Sequence, residues 1–490
     1  MKTLPDRLHT FFINLENHSG LQLGLLIAIT LLAALLRIYK LGEWSFWIDE
    51  VLWVNFSANL SDFSFLRWPL SAILINLAVT IFGINEWSAR LSPALIGIAT
   101  IPLLYFPLRK LFNPTTSLLA CTFLAISPWH LYWSQNARFY TALLLIFNIA
   151  LFAFYIGIEK NRAIFIIGAM FLFFFAVNER QHILFLIPIV FSYIFFLLIL
   201  RLNIPPGVRL RNFFLLAVPI AAYGLYDSSF LSFLYNPFFG PPNHGPFRLL
   251  ASVVYWVGIP LICLGIVSSL NIIFKKDRRG LIIVLGAWVP LILLLIISPL
   301  TFTVDRYVFI SLPCWATLGA LAINDLFSQA IPHNRVLLWG VLLILLIEPL
   351  GRDYLYFEQQ SGARLDWKQA FEFVKMRKQE GDMVYTSWPE LGEYYLDEDV
   401  LWINDFRKDS KLANKRVWFV IEESNTNGSL KTSEWLSENS RLMKIMSLSL
   451  PGKNLYIRIS LLDSNSQKPY QFDAQKIADI FRKLVHNLRT

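Results

Sequence analysis

The chain has 490 residues, of which 56% are hydrophobic and only 16% are charged. A soluble domain normally carries about 25% charged residues, so this composition excludes an ordinary soluble protein and predicts a multi-pass membrane protein. The net charge of +9 does not indicate a nucleic-acid partner. In membrane proteins, excess lysine and arginine usually lie in cytoplasmic loops.

Eleven apolar segments are candidate spans, because a helix needs roughly 20 residues to cross a bilayer. They lie at 21–38, 91–108, 115–131, 139–157, 163–177, 182–200, 212–226, 249–273, 281–299, 307–323 and 335–350. We expect the first to be a span and not a cleaved signal, since no small-residue cleavage site follows it. A further stretch, 69–84, begins with proline and is either a short span or a helix along the membrane surface.

The basic residues distinguish these two alternatives for 69–84. If the stretch does not cross, the cytoplasmic segments carry 14 lysines and arginines and the outer segments before Gly351 carry 8. If it crosses, the split is 7 inside and 15 outside. Because the excess normally lies inside, we expect a juxtamembrane helix at 69–84. The N-terminus is then cytoplasmic and the C-terminal part extracytoplasmic, in a plasma or inner cell membrane.

The composition changes near residue 351. Residues 351–490 carry 21 basic and 20 acidic side chains, which is typical of a soluble domain. We predict helices and strands at 366–379, 383–387, 401–404, 416–421, 429–439 and 455–460. Their alternation predicts a small α/β domain over 351–463 that follows a transmembrane catalytic domain, 1–350. The tail, 464–490, contains a predicted amphipathic helix at 473–488.

Asp49 and Glu50 are the leading candidates for catalysis. They follow the first predicted span and lie between Trp47 and Trp53. Tryptophan favours the membrane–water boundary, and acids so close to hydrocarbon usually have a function. A carboxylate here could take the proton of an acceptor hydroxyl as a general base. The alternative is a solvated loop with two acids. We favour Asp49 as the base, because its shorter side chain is held more tightly.

Arg138 and Arg306 are candidate ligands for a phosphate group, which arginine can bind with two hydrogen bonds. Arg138 lies in the aromatic and hydroxyl-rich loop 127–140, and Arg306 follows Asp305 at the start of a predicted span. The alternatives are a snorkelling or helix-capping role for Arg138 and an ion pair with Asp305 for Arg306.

Three further polar residues lie in the predicted outer loops. Glu86 and Arg90 either contact a substrate or form a structural ion pair. His182 belongs to the polar cluster 178–182, where a lone histidine is more often a hydrogen-bonded helix-start residue than a catalyst. The predicted spans have almost no charge at mid-depth, which argues against an ion-coupled transporter. A lipid or polysaccharide translocase is the alternative to an enzyme.

Taken together, these motifs resemble the class C (GT-C) membrane glycosyltransferases, and most closely the protein O-mannosyltransferase-like and aminoarabinose-transferase-like group. The resemblance rests on the acidic pair after the first span and on three later motifs. These are Glu86…Arg90-Leu91…Pro93, Tyr132-x-Ser134-Gln135-x-Ala137-Arg138-x-Tyr140 and Asp305-Arg306-Tyr307…Pro313. The resemblance implies a GT-C fold and a hexosyl- or pentosyltransferase. It also implies a polyprenyl-phosphate-linked sugar donor and a lipid, glycan or protein acceptor.

The chain departs from the pattern of this group at three places. Leu52 and Trp53 stand after the acidic pair, where some relatives have a basic residue and a tyrosine, so the contacts to the donor phosphate are expected to be rearranged. Arg67-Trp68-Pro69 stands where relatives often have His-Pro-Pro or Lys-Pro-Pro, so Arg67 is a candidate substitute in donor binding. Tyr140 stands where some relatives have an aspartate, and no Asp-x-Asp pair lies in that loop. We therefore expect neither a metal ion nor a cofactor. The phosphate leaving group is already an anion, so it needs cations and no acid, and attack opposite to it would invert the anomeric centre.

Overall fold

The computed structural model describes residues 18–61, 68–226, 242, 245–329, 335–406, 416–424, 430–450 and 453–463. Contacts within the chain divide it into two units. Unit 1 comprises Met1–Gly42 and Trp53–Tyr356, and unit 2 comprises Glu43–Leu52 and Phe357–Thr490. The segment that carries the acidic pair therefore belongs to the same unit as the C-terminal residues. Arg67 and the predicted helix 473–488 lie outside the described residues.

The described residues up to Glu358 form helices joined by short connections. In chain order they are α1 Ser19–Ile38, α2 Ile48–Ala58, α3 Leu70–Phe82, α4 Glu86–Leu111, α5 Pro114–Ala125, α6 Pro128–Ser134, α7 Tyr140–Lys160, α8 Ala163–Val177, α9 Leu186–Ile199, α10 Leu210–Tyr226, α11 Pro246–Val257, α12 Ile259–Lys275, α13 Arg278–Ile297, α14 Leu312–Gln329 and α15 Arg335–Glu358. Two 3₁₀ turns, Gln181–Phe185 and Asp305–Ser311, lead directly into α9 and α14.

The protein is a multi-pass membrane protein. Among the described residues, six helical stretches are long and apolar enough to cross a membrane: Ser19–Ile38, Glu86–Leu111, Tyr140–Lys160, Gln181–Ile199, Arg278–Ile297 and Asp305–Leu326. The bent pair α11 and α12 makes seven if it is one span. The predicted number of eleven is higher, because several apolar segments form helices of only 10–17 residues.

Two predicted spans are interrupted, each for a local reason. Stretch 115–131 ends as a helix at Ala125, and Pro128 begins α6. Proline disfavours helical backbone in the residue before it and has no N–H to continue the ladder. Stretch 249–273 bends by 98° between α11 and α12. Gly258 lies at this bend with a φ of 96°, which glycine adopts without strain.

Helix α3 occupies the stretch for which the sequence left two alternatives. It has 13 residues and is followed by Gly83. At 1.5 Å per residue its length is about 20 Å, which is too short for the ~30 Å hydrocarbon core. This length agrees with a helix that does not cross the membrane.

The C-terminal residues of unit 2 form a five-stranded sheet of order β2-β1-β3-β5-β4 with helices beside it. The elements are α16 Trp367–Lys375, β1 Met383–Thr386, α17 Pro389–Leu396, β2 Leu401–Trp402, β3 Arg416–Ser424, α18 Leu430–Asn439, β4 Arg441–Leu450 and β5 Lys453–Asp463. β1 is parallel to β2 and β3, whereas β5 is antiparallel to β3 and β4. The predicted α/β domain is confirmed, although α17 and β4 were not predicted. Its core includes Phe406, Phe419 and Leu436.

Candidate active site

Asp49 and Glu50 lie in the first turn of α2. The turn begins with a hydrogen bond from the Glu50 main-chain N–H to the Trp47 carbonyl oxygen, at 2.9 Å. A helix N-terminus favours negative charge. The two side chains differ in exposure, because Glu50 is fully buried and Asp49 is only partly buried.

Glu50 forms a buried ion pair in unit 2. Nη1 of Arg364 donates to Oε2 of Glu50 at 2.9 Å, and the exposed fractions of the two side chains are 3% and 0%. The same oxygen accepts from the Trp47 main-chain N–H at 3.4 Å. Nε of Arg364 donates to the Gly362 carbonyl oxygen at 3.2 Å. Glu50 is therefore held in place by a cation from a segment 314 residues away.

Hydrogen bonds between side chains and main-chain groups hold the residues just before the acidic pair. The Ser45 hydroxyl donates to the Leu365 carbonyl oxygen at 2.7 Å and accepts from the Trp367 N–H at 3.1 Å. The Phe46 N–H donates to the Tyr395 hydroxyl at 2.7 Å. These bonds join the acidic segment to α16 and α17 within unit 2.

The Trp44 ring lies against the backbone of Gly362, where no larger residue fits. A Cβ atom at position 362 would lie 2.4 Å from Cδ1 of Trp44. Gly362 also has a φ of 67°, which L side chains rarely adopt. The glycine thus allows the close approach that buries Trp44.

In unit 1, Arg138 and Arg180 lie against the same aromatic ring. The guanidinium carbon of Arg138 is 5.1 Å from the centre of the Phe139 ring, and that of Arg180 is 5.3 Å from it. Arg138 also lies 5.4 Å from the Trp53 ring. Such contacts orient a guanidinium while it keeps its charge. They bring two cations of the outer-loop motifs together.

Arg306 lies at the beginning of the 3₁₀ turn that leads into α14. Its main-chain N–H donates to Oδ1 of Asp305 at 2.7 Å, and Oδ2 of Asp305 accepts from the Ser252 hydroxyl. The Asp305 carboxylate therefore links the start of this turn to Ser252 of α11. The next residue, Tyr307, packs against the His182 ring at 4.3 Å between centroids. Nδ1 of His182 is buried and has no hydrogen-bond partner among the residues described.

Glu179 connects the predicted polar cluster to the start of α3. Its carboxylate accepts from the Ser71 N–H at 2.8 Å and from the Ser71 hydroxyl at 2.6 Å. Burial raises the pKa of Glu179 from 4.5 to about 7, although the hydrogen bonds from Ser71 lower it. Glu179 thus caps the N-terminus of the juxtamembrane helix.

Gln135 and Arg37 close two helix ends next to the motif loop. Nε2 of Gln135 donates to the carbonyl oxygens of Arg37 and Tyr39, at 3.1 and 2.7 Å, at the end of α1. The Arg37 guanidinium donates to the carbonyl oxygens of Leu124 and Ala125 at the end of α5. Helix ends leave such carbonyls without partners. Gln135 therefore serves the fold of this loop.

The other predicted site residues of unit 1 are buried. Nη1 of Arg90 donates to the Leu41 carbonyl oxygen at 3.3 Å, and Arg90 is fully buried, which favours a structural role. Glu86 is the buried first residue of α4. Tyr140 packs against Trp133 with ring centres 3.9 Å apart.

Sequence reasoning missed Arg364, Tyr395 and the contribution of Arg180. No sequence signal links Arg364 or Tyr395 to the acidic pair, because they follow it by more than 300 residues. Arg180 lies in the polar cluster 178–182. Its positive charge in a predicted outer loop was a signal that could have identified it as a candidate. Among the described residues, no group of three or more His, Cys, Asp or Glu is arranged to hold a metal ion. Metal independence remains a prediction.

Comparisons with known proteins agree with this architecture. The family model for dolichyl-phosphate-mannose-protein mannosyltransferase matches residues 67–223. No curated protein matches the chain in sequence.

Solved structures extend the comparison over most of the chain. ArnT from Cupriavidus metallidurans in the apo state is 12% identical with a TM-score of 0.56, over 89% of this chain and 98% of that one. The same protein bound to undecaprenyl phosphate is 12% identical with a TM-score of 0.53, over 90% and 98%. The archaeal oligosaccharyltransferase AglB from Archaeoglobus fulgidus, in complex with an inhibitory peptide and a dolichol-phosphate, is 13% identical with a TM-score of 0.56, over 91% and 74%.

The protein therefore has a GT-C fold of the protein mannosyltransferase and ArnT type. This confirms the resemblance that the sequence motifs indicated.

Proposed function

We propose that the protein is a glycosyltransferase that moves a sugar from a polyprenyl-phosphate carrier to an acceptor on the extracytoplasmic face of the membrane. The fold supports a transferase role, because ArnT and AglB share it. Structures of those two proteins contain undecaprenyl phosphate and dolichol-phosphate, respectively. This supports a lipid-linked donor for the present chain.

The different surroundings of the two acids carry the proposal. Glu50 is fully buried and paired with Arg364, so it cannot reach an acceptor hydroxyl without breaking that pair. Asp49, its neighbour in the same helical turn, is only partly buried. Glu50 is buried in an ion pair and Asp49 is partly exposed, and an exposed carboxylate is the better candidate to reach an acceptor hydroxyl as a general base.

In the proposed reaction, the acceptor oxygen attacks the anomeric carbon of the donor sugar. The bond from this carbon to the phosphate oxygen breaks, and polyprenyl phosphate leaves as an anion. Asp49 takes the hydroxyl proton. Attack from the side opposite the phosphate inverts the anomeric centre. The reaction needs no metal, because the leaving group needs only cations near its developing charge.

The arginines of unit 1 are the proposed cations for the phosphate. Arg138 and Arg306 keep their proposed role, and Arg180 joins them because its guanidinium lies on the same ring as that of Arg138. Arg67 is a fourth candidate, from the sequence alone. His182 and Tyr140 are assigned to substrate binding, and Glu86 and Arg90 to a supporting role beside it.

The acceptor would reach the acidic segment from the outer aqueous side. This follows from the distribution of basic residues, which predicts a cytoplasmic N-terminus and an extracytoplasmic C-terminal domain. A lipid, a glycan and a protein are all compatible acceptors.

Mass spectrometry of cell-surface glycans and lipids tests the proposal. We would compare cells that lack the protein with the same cells supplied with the wild type or with Asp49→Asn. A sugar modification that requires the protein and is lost in Asp49→Asn would support it. Identical surface glycans and lipids with and without the protein would contradict it.

A further inference from the structure

The acidic segment, Glu43–Leu52, is fixed in unit 2 by contacts that the sequence motifs did not predict. Ser45 and Phe46 hydrogen-bond to residues 365–367 and 395, and Trp44 packs on Gly362. Next to Asp49, the proposed base, the segment also forms the ion pair between Glu50 and Arg364. Only one peptide bond separates Glu50 from Asp49.

We propose that Arg364 is a positioning residue that holds Asp49 in its catalytic place through Glu50. The inference rests on the proposed function, in which Asp49 is the general base. Arg364 does not need to touch a substrate in this role. It fixes the first turn of α2, on which both acids lie.

The burial of Glu50 explains why this cation is needed. A carboxylate that is removed from water needs a partner, or it takes up a proton or moves into solvent. Without Arg364, either change would alter the helical turn that carries Asp49. The guanidinium is itself held at two points, because Nη1 binds Glu50 and Nε binds the Gly362 carbonyl oxygen.

A second ion pair of unit 2 provides a matched control. Nη1 of Arg458, on β5, lies 3.4 Å from Oε1 of Glu423 on β3. Arg458 is also largely buried, with 7% of its side chain exposed. Both pairs lie in unit 2, but this second pair joins two neighbouring strands of the sheet. Arg458→Gln therefore reports what the loss of a buried arginine does to the unit in general.

The experiment uses the full-length protein in lipid vesicles with polyprenyl-phosphate-linked mannose as the probe donor. We would measure kcat, the donor KM and the hydrogen exchange of residues 43–52. Arg364→Gln should lower kcat about 100-fold, the size expected from a small displacement of a catalytic group, with little change in donor KM. Exchange in the segment should become at least about tenfold faster.

Two additional variants keep the test informative if Arg364→Gln does not fold. Arg364→Lys keeps the charge but loses the fork geometry, so it should restore part of the turnover. The double variant Glu50→Gln/Arg364→Gln removes both charges of the buried pair together, so it should fold while its turnover remains low.

The inference is wrong if Arg364→Gln and Arg458→Gln have the same kcat, the same donor KM and the same exchange in residues 43–52. It is also wrong if the double variant turns over at the wild-type rate. Wild-type turnover in Asp49→Asn would overturn the proposed function itself. A dead Asp49→Asn together with an unaffected Arg364→Gln would overturn only the inference.

Discussion

Two adjacent carboxylates of nearly the same chemistry differ sharply in their surroundings. Glu50 is buried and accepts a hydrogen bond from Arg364, whereas Asp49 is partly exposed. The identity of the two residues does not by itself distinguish their proposed roles. At the scale of single residues, the proposal that Asp49 is the base therefore rests on this difference in burial.

Asp49→Asn should lower turnover by roughly 10²- to 10⁴-fold, because it keeps the size of the side chain and removes the proton acceptor. Donor binding and the melting temperature should stay close to wild type. Single-turnover kinetics with a fixed donor concentration would measure this. Glu390→Gln is the control, since Glu390 also lies in the first turn of a helix of unit 2 and is partly buried.

The opposite pattern would exchange the two roles. If Glu50→Gln stops turnover without loss of folding, and Asp49→Asn is active, then Glu50 is the base. Wild-type turnover in both variants would favour a translocase or another non-catalytic protein.

Arg138→Ala and Arg306→Ala should weaken donor use much more than acceptor use. A hydrogen bond to a charged group contributes about 1.5–3 kcal/mol, which corresponds to about 10- to 150-fold in donor affinity. Titrations of donor at saturating acceptor would measure the effect. Arg248→Ala is the control, because Arg248 is an exposed arginine of α11. Unchanged donor titrations for both variants would assign Arg138 and Arg306 to structural roles.

Sequence patterns could name candidate residues but not their contacts in the fold. Asp49 and Arg138 could be named because unusual charges stand beside long apolar segments. Arg364 could not, because its role depends on a contact between segments far apart in the chain. The same limit applies to Gln135, whose motif position indicated function but whose amide caps α1.

At the scale of elements, α3 is held by a contact that depends on pH. Glu179 caps its first turn through Ser71, and burial raises the pKa of Glu179 to about 7. Because the folded-state pKa is higher than the ordinary value of 4.5, the protonated form favours folding. The stability from this group is complete below pH 4.5 and is lost as the pH rises through 7.

Raising the pH from 5 to 8 should therefore lower the stability of the wild type by up to about 3 kcal/mol through this group. Glu179→Gln should show a smaller decrease, because its amide does not titrate. Melting temperatures in detergent over this pH range would test the prediction. Equal pH dependence in the wild type and in Glu179→Gln would mean that another group is responsible.

Helix positions were predictable, but their breaks were only partly so. The apolar segments marked most of the helices that the structure describes before residue 359. The predicted spans 115–131 and 249–273 run straight through the break before Pro128 and the bend at Gly258, because hydropathy does not report backbone direction. In unit 2, β4 was missed because it is an edge strand of mixed exposure, which leaves no clear apolar pattern.

At the scale of the whole molecule, the direction of the chain across the membrane is the main untested prediction. Glu43 and Lys110 are both exposed, and the charge distribution places them on opposite sides. Glu43→Cys should react with an impermeant thiol reagent in intact cells, and Lys110→Cys only after permeabilisation. The background should lack the native cysteines, since Cys263 is exposed. Reaction of both cysteines in intact cells would mean that 69–84 crosses the membrane.

The division into units leads to a prediction for the C-terminal residues as a whole. Glu43–Leu52 is grouped with Phe357–Thr490, and the contacts of Ser45, Phe46 and Glu50 explain why. Deletion of 357–490 should therefore leave the helices of unit 1 able to insert and to bind donor. It should reduce turnover to the level of Asp49→Asn, because the acidic segment loses its anchors.

A shorter deletion separates this effect from a general effect of truncation. Removal of 464–490 spares all these anchoring residues, so turnover should stay near the wild-type value. Donor binding, insertion and turnover would be measured for both truncated proteins. If the protein without 357–490 retains full turnover, the acidic segment keeps its catalytic form without unit 2, and the C-terminal residues then serve another purpose, such as binding a partner. If donor binding is lost together with turnover, the deletion has damaged unit 1, and the anchoring argument must be tested with Arg364 variants alone.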